Sequence, residues 1–159
     1  RCPIAPEDTV GSLYFERLFP MGVEAMAKAV RMVAEGSAPR IPQDHALGTY
    51  EPPCRDENAA IRWYEPAGRI HQLVRGANPQ PGAWTIFNGA RLRIFDCNLL
   101  RAPEPGMPGR VLRIDAEGFD VRLNGGVLRV LRVQPDGGKK TSAGEWARAV
   151  GLKTGFRFK

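Results

Sequence analysis

The sequence predicts an α+β chain in which a helical first half precedes a second half of short strands. Apolar residues recur at helical spacing in the first half, and the period changes to two after Trp84. A proline- and glycine-rich connector at residues 75–84 separates the two patterns. With 159 residues, of which 43% are apolar, the chain has enough material for one ordinary domain or two small ones.

Two amphipathic helices are expected before residue 40. Asp8 or Thr9 is a suitable N-cap for the first helix, and Pro20 is expected to break it. The second helix is expected to stop at Gly36. Residues 2–4 are compatible with the end of a strand. Because one strand and two helices cannot close a core, this part is expected to be the tail of a larger α/β domain.

Residues 41–81 are expected to form a linker with one short helix. Pro66 fits the first helical position, with Ile70 and Val74 on the buried side. Gly76 is expected to end this helix in the left-handed conformation. The connector that follows is expected to be extended between its two prolines, with a type II turn at Pro81-Gly82.

Residues 82–159 are expected to form a small barrel of the oligonucleotide/oligosaccharide-binding (OB) type, because tight turns separate about five short strands. A Pro/Gly-rich loop is expected at 102–109, and a capping box at Ser142–Glu145 is expected to open a short helix that stops at Gly151. In the second strand, Leu92, Ile94 and Asp96 should face one way and Arg91, Arg93 and Phe95 the other. The expected strands are residues 84–87, 90–95, 110–115, 119–123 and 127–133.

The excess positive charge lies entirely in the second half. Residues 1–89 hold nine Lys/Arg against ten Asp/Glu, a net of −1, whereas residues 90–159 hold fourteen against seven, a net of +7. Such asymmetry is typical of domains that bind a polyanion, and a solubilising outer face is the alternative interpretation.

Nine basic residues on the predicted strands and turns are the candidate polyanion-binding residues. Their charge and bidentate geometry suit phosphate. Aromatic residues among them are scarce, with Phe95 and Phe119 the two candidates, which disfavours a stacking platform for single strands and favours contact with the backbone of a structured nucleic acid. The nine are Arg91, Arg93, Arg110, Arg113, Arg122, Arg129, Arg132, Lys139 and Lys140.

Other chemistries have no recognisable motif in this sequence. The three cysteines are far apart and no Cys/His ligand spacing occurs, so we expect no metal site and reduced cysteines in a cytoplasmic protein. His45 and His71 lack a nucleophile motif around them, and no catalytic residue is assigned. No apolar run approaches the length of a membrane span, so no membrane partner is expected.

The order of several short motifs resembles the C-terminal portion of 10-formyltetrahydrofolate-dependent formyltransferases, a family that includes methionyl-tRNA formyltransferase and the hydrolase domain of 10-formyltetrahydrofolate dehydrogenase. The similarity covers nearly the whole chain, although Arg62 stands where the family usually has an acid. The motifs are Cys2-Pro3-Ile4, Asp8-Thr9, Leu13-Tyr14, 18–22, 34–43, Thr49-Tyr50, Ile61-Arg62-Trp63, Arg75-Gly76, 79–82, Gly109, 124–126 and 135–140.

The resemblance implies three parts: the C-terminal edge of a Rossmann-like catalytic domain at 1–40, a linker at 41–81 and an OB-like barrel at 82–159. It implies that the whole enzyme uses 10-formyltetrahydrofolate, with no cofactor expected on this chain alone. The family's catalytic Asn, His and Asp lie upstream and have no counterpart here, so the chain alone is expected to be inactive. Expected partners are the missing N-terminal catalytic region or another copy of the chain, and tRNA. Methionyl-tRNA, an amino sugar and water remain open as formyl acceptors.

Overall fold

A computed structural model of the chain describes residues 1–100 and 105–159. These residues form two compact units, residues 1–53 and residues 54–159. The predicted loop at 102–109 begins outside the described residues, at 102–104. No helix in the described part of the chain is long and apolar enough to cross a membrane.

One long helix, α1, dominates the first unit. It starts as an α-helix at Val10–Ser12, widens into a π-helical turn at Leu13–Leu18 and continues as an α-helix over Phe19–Ala34. Thr9 caps it, as expected, and Gly36 has a positive φ of 70° just after its end. Residues 2–4 form no strand.

The expected break at Pro20 is wrong, because the helix continues through the proline. In the turn before it, the Phe19 N–H donates to the Tyr14 carbonyl, five residues back. Proline has no amide hydrogen and normally clashes with the carbonyl four residues earlier. The wide turn supplies the altered backbone geometry at which helices accommodate such a residue.

The apolar residues of α1 are mostly exposed. Tyr14 and Phe19 lie with ring centroids 6.0 Å apart. Together with Leu18, Val23 and Met26 they line an open apolar groove. Met26 is 66% exposed, so this face has no cover within the first unit.

The second unit is built on one antiparallel sheet. Its strands are β1 (Ala83–Phe87), β2 (Ala90–Leu100), β3 (Val111–Ile114), β4 (Phe119–Leu123), β5 (Gly126–Pro135) and β6 (Thr141–Ser142). They follow the order β1-β2-β5-β4-β3, and β6 pairs with β5. The described strands give no ladder between β1 and β3, so barrel closure stays a prediction.

The first hairpin is confirmed. Asn88 and Gly89 both have positive φ, 49° and 81°, which is the geometry of the tight hairpin turn that an Asn-Gly pair favours. The three predicted strands after the hairpin are confirmed too, with bounds that differ by a few residues, and β6 was not predicted.

The predicted alternation of β2 holds only up to Ile94. The register against β5 shifts between Ile94 and Cys97, which is a bulge. An extra residue changes which face the following side chains occupy. As a result Phe95 is buried rather than facing outward with the arginines, and Asp96 is exposed.

A strap at residues 56–66 crosses the sheet before helix α2 (Ala67–Gly76). The Ile61 N–H donates to the Trp84 carbonyl at 2.8 Å, and the buried Trp63 indole N–H donates to the Thr85 hydroxyl at 2.9 Å. Pro66 is the N-cap of α2 rather than its first residue. The helix packs on β2 and β5.

The connector after α2 is a compact turn rather than an extended segment. Gly76 is the last residue of α2 without a left-handed conformation, and Ala77 is the C-cap. The Gly82 N–H donates to the Ala77 carbonyl at 2.8 Å, which closes the segment into a loop. The positive φ expected at Gly82 is confirmed, at 81°.

Helix α3 (Ala143–Ala149) and the last residues complete the core. The helix stops at Gly151 as expected, but the Ser142 hydroxyl donates to the Glu117 carbonyl instead of capping the helix. The Phe158 ring is stacked on Trp63 and Phe119, with centroids 5.3 and 6.0 Å away. Its backbone pairs with Gly109, where a Cβ would collide with the Phe158 carbonyl.

Phe158 should therefore contribute strongly to stability. Phe158→Ala removes a ring that is 1% exposed, and we expect the free energy of unfolding of this unit to fall by about 3–5 kcal/mol. Tyr64→Ala is the control, because Tyr64 is 68% exposed and its loss should change the value by less than about 0.5 kcal/mol. Equal losses in chemical denaturation of the two variants would contradict this packing.

Candidate functional site

Five of the nine candidate basic residues form ion pairs with carboxylates of their own unit. Because those charges are already balanced locally, they are not equivalent to free guanidinium groups. The pairs are Arg91 and Arg93 with Asp56, Arg113 with Asp115, Arg129 with Asp115, Asp120 and Glu117, and Arg132 with Asp96.

Arg129 on β5 is the most enclosed of the five, with a side chain only 12% exposed. Its guanidinium lies 2.6 Å from the Asp115 carboxylate and 3.2 Å from that of Asp120. The hydrogen bond from Arg129, with the backbone N–H groups of Gly118 and Glu117, holds the pKa of Asp115 well below its usual range. The carboxylates in turn raise the pKa of Arg129. This residue joins β3, β4 and β5.

Arg91 and Arg93 lie on one face of β2, and both contact Asp56 at the start of the strap. Arg91 pairs with the Asp56 carboxylate, and its guanidinium lies 4.3 Å from the centre of the Trp84 ring. Arg93 lies 3.6 Å from the same carboxylate and donates through Nε to the Pro81 carbonyl at 3.2 Å. One acidic residue therefore holds two of the predicted phosphate-binding groups.

The two aromatic candidates are not available for base stacking. Phe119 is fully buried, and Phe95 is 4% exposed with the Lys140 ammonium 3.6 Å from its ring centre. Lys139 is exposed in the segment between β5 and β6. This arrangement agrees with the sequence argument against a stacking platform.

A row of three arginines lies where β4, the start of β3 and the chain terminus meet. The Arg122 N–H donates to the Arg110 carbonyl at 2.9 Å, and Arg110 pairs with Arg157 across an antiparallel bridge. Side chains directly opposite in such a bridge share a face. Arg110 and Arg157 are both exposed, and neither has a carboxylate within ion-pair distance in the described part of the chain. The Arg157 Nε–H donates to the Pro108 carbonyl at 3.2 Å. Two exposed positive charges on one face make this a favourable place for an anion.

Sequence reasoning missed Arg157. The alternation Phe156-Arg157-Phe158 was the available signal, because two inward rings flank an outward charge with the period of a strand. An alternation over three residues is too short to predict a strand, because periodicity is judged over longer stretches of sequence.

A second feature is a cleft of about 560 Å³ between the strap and α2. Its lining carries charges of both signs, from Arg62, Arg69, Glu57 and Glu65, above Ile70. Because this lining is both acidic and basic, it favours neither an anionic nor a cationic ligand. In residues 1–100 and 105–159, no group of three His, Cys, Asp or Glu side chains is placed to hold a metal ion.

The Asp115–Arg129 contact predicts a pH dependence. The pKa of Asp115 is lower in the folded protein than in the unfolded chain, so its stabilising effect is complete above about pH 4 and is lost as the pH falls through the folded-state value. We expect Asp115→Asn to lower the melting temperature most near neutral pH, and the difference from wild type to shrink in acid.

Glu117→Gln is the matched control for that titration, because the Glu117 side chain is 83% exposed and 3.6 Å from Arg129. Melting temperatures of the three proteins between neutral and acidic pH provide the measurement. If the melting temperature of Asp115→Asn stays below that of wild type by the same amount down to the lowest pH, the charge of the Asp115 carboxylate is not the cause of the difference.

Comparison with known proteins identifies relatives along the whole chain. Residues 54–151 match the family model described as formyl transferase, C-terminal domain. Methionyl-tRNA formyltransferase of Moorella thermoacetica is 38% identical over 155 residues, which cover 98% of this chain and 50% of that protein. Cytosolic 10-formyltetrahydrofolate dehydrogenase of Xenopus laevis is 38% identical over 94% of this chain and 18% of its own length. The chain thus spans half or less of these relatives.

Solved structures show the same fold. HypX from Aquifex aeolicus superposes with a TM-score of 0.74 over 95% of this chain, at 19% identity. A second HypX structure, in complex with tetrahydrofolic acid, gives a TM-score of 0.71 over 94% of this chain. The chain covers 27% and 26% of those two proteins. The family model matches most of the second unit, and the two enzymes are 38% identical in sequence over nearly the whole chain. Both findings agree, and the chain belongs to the formyl transferase family.

Proposed function

We propose that this chain is the C-terminal part of a cytoplasmic enzyme that transfers the formyl group of 10-formyltetrahydrofolate or releases it by hydrolysis. The observation that carries the proposal is the 38% identity over nearly the whole chain to two enzymes whose names share this formyl chemistry. In this proposal residues 1–40 are the edge of a Rossmann-like catalytic domain, 41–81 link it to the rest, and 82–159 form an OB-like barrel.

The proposed role of the barrel is to assist acceptor binding, with methionyl-tRNA as the acceptor. Arg110 and Arg157 support it, since both are exposed and lie opposite each other in a backbone bridge, and guanidinium groups suit a phosphate backbone. A structural domain of a folate hydrolase, or of an amino-sugar formyltransferase, is the alternative. In a full-length enzyme, removal of 90–159 should abolish transfer to methionyl-tRNA but spare a folate hydrolase.

Binding of tRNA by the chain tests this role. We expect affinity to fall steeply between about 50 and about 200 mM salt, because neutralised phosphates release counterions. Arg110→Gln with Arg157→Gln should reduce the slope of log affinity against log salt by about two, or about one for each lost phosphate contact.

The control double variant, Arg113→Gln with Arg132→Gln, removes the same charge from residues that pair with Asp115 and Asp96. It should reduce the slope less. Fluorescence anisotropy with a labelled tRNA transcript measures all three proteins. Absence of tRNA binding by the wild-type chain at low salt would reject the acceptor role and leave the structural alternative.

We further propose that the exposed face of α1 is covered by the rest of the catalytic domain. The chain spans half or less of its enzyme relatives, and this face is apolar and open. Val23→Glu with Met26→Glu should leave the unfolding of the isolated chain unchanged and should prevent association with a separately produced N-terminal region. A stable homodimer of the wild-type chain in light scattering, dissociated by the same changes, would instead identify a second copy as the cover.

A further inference from the structure

The carboxylate of Asp56 occupies the place beside Arg91 and Arg93 of β2 where an anionic ligand would bind. Asp56 opens the short 3₁₀ segment Asp56–Ala59 at the start of the strap. Arg91 and Arg93 are two residues apart on one strand, so their side chains project from the same face. The Asp56 carboxylate lies between them and pairs with both.

The contact is accessible to solvent. The side chains of Arg91, Arg93 and Asp56 are 32%, 24% and 40% exposed. Ion pairs at such partly exposed sites are weak, because water solvates the separated charges well. An anion in solution can therefore compete with Asp56 for the two guanidinium groups, and an RNA phosphate presents two charged oxygens that suit the same bidentate geometry as a carboxylate.

The strap itself is held by other bonds. The Trp84 indole N–H donates at 2.7 Å to the backbone carbonyl of Asp56 and not to its carboxylate. Ile61 and Trp63 add a backbone and a side-chain hydrogen bond to β1. The carboxylate can therefore release the arginines while the strap stays docked.

We propose that Asp56 is an internal competitor for RNA phosphates, which holds Arg91 and Arg93 in an ion pair and limits the affinity of the basic surface. The inference rests on the proposed tRNA-binding role and adds a regulating residue to it. An RNA phosphate can contact Arg91 and Arg93 only by displacing the Asp56 carboxylate. The positive charge of these two arginines is therefore masked in the folded chain.

The test compares the full 159-residue chain with Asp56→Asn, using a labelled initiator tRNA transcript over a range of salt. Asp56→Asn should bind more tightly and steepen the salt slope by about two, since two guanidinium groups become available. Asp136→Asn is the control, because it removes the same charge from an exposed turn of the same unit. Asp136→Asn should change the slope of log affinity against log salt by less than half of the change caused by Asp56→Asn.

A double-mutant cycle separates masking from general electrostatics. Arg91→Gln with Arg93→Gln should leave the slope of the wild type nearly unchanged and should cancel the gain in the Asp56→Asn background. Thermal melting checks that each variant is folded, and Asp56→Ser replaces Asp56→Asn if the amide disturbs the strap.

The possible outcomes distinguish the two proposals. Binding by Asp56→Asn but not by wild type supports masking and rejects the acceptor role of the natural chain. Absence of binding in both rejects both proposals. Binding by wild type with equal slopes for Asp56→Asn and Asp136→Asn overturns the masking inference and leaves the tRNA-binding role intact.

Discussion

The ladder between β2 and β5 is the contact on which the rest of the second unit depends. β5 also pairs with β4 and β6, while β2 carries β1, and α2 packs on both. Strands of ten and eleven residues coil as they pair, and the bulge after Ile94 lets the ladder continue. That irregularity decides which side chains of β2 reach solvent. It buries Phe95 beneath Lys140 and turns Asp96 outward to Arg132.

Charge in this unit is arranged across strands rather than along them. A net charge of +7 in the second half indicates a uniformly basic surface when only the sequence is considered. In the fold, most arginines of the central strands face carboxylates contributed by other segments, and Asp56 comes from outside that half. Arg110 and Arg157 are exposed and have no carboxylate within ion-pair distance in residues 1–100 and 105–159. Local neutralisation explains how the sheet tolerates so many arginines on adjacent strands, since like charges directly opposite one another are destabilising.

The sequence was sufficient for the parts of the fold that depend on local geometry. Period-two patterns and Asn-Gly turns located β1, β2, β4 and β5, and glycines located the ends of α1 and α3. It was insufficient where distant segments meet. The strap, the pairing of Arg110 with Arg157 and the contact of Asp56 with Arg91 join residues separated by 22 to 47 positions, and no local pattern specifies them. Pro20 misled for a different reason, because a wide helical turn, although local, has no simple sequence signature.

The wide turn at Leu13–Leu18 has a consequence for how α1 presents its side chains. In a regular helix, residues five apart differ in direction by about 140°, since each residue turns about 100°. Here Tyr14 and Phe19 approach each other despite that spacing, and Val23 and Met26 continue in the same direction. The turn thus acts as a one-residue insertion that the helix absorbs without losing the alignment of its apolar side. Removing one residue from this segment would let it close as a regular α-helix with its two halves still in phase.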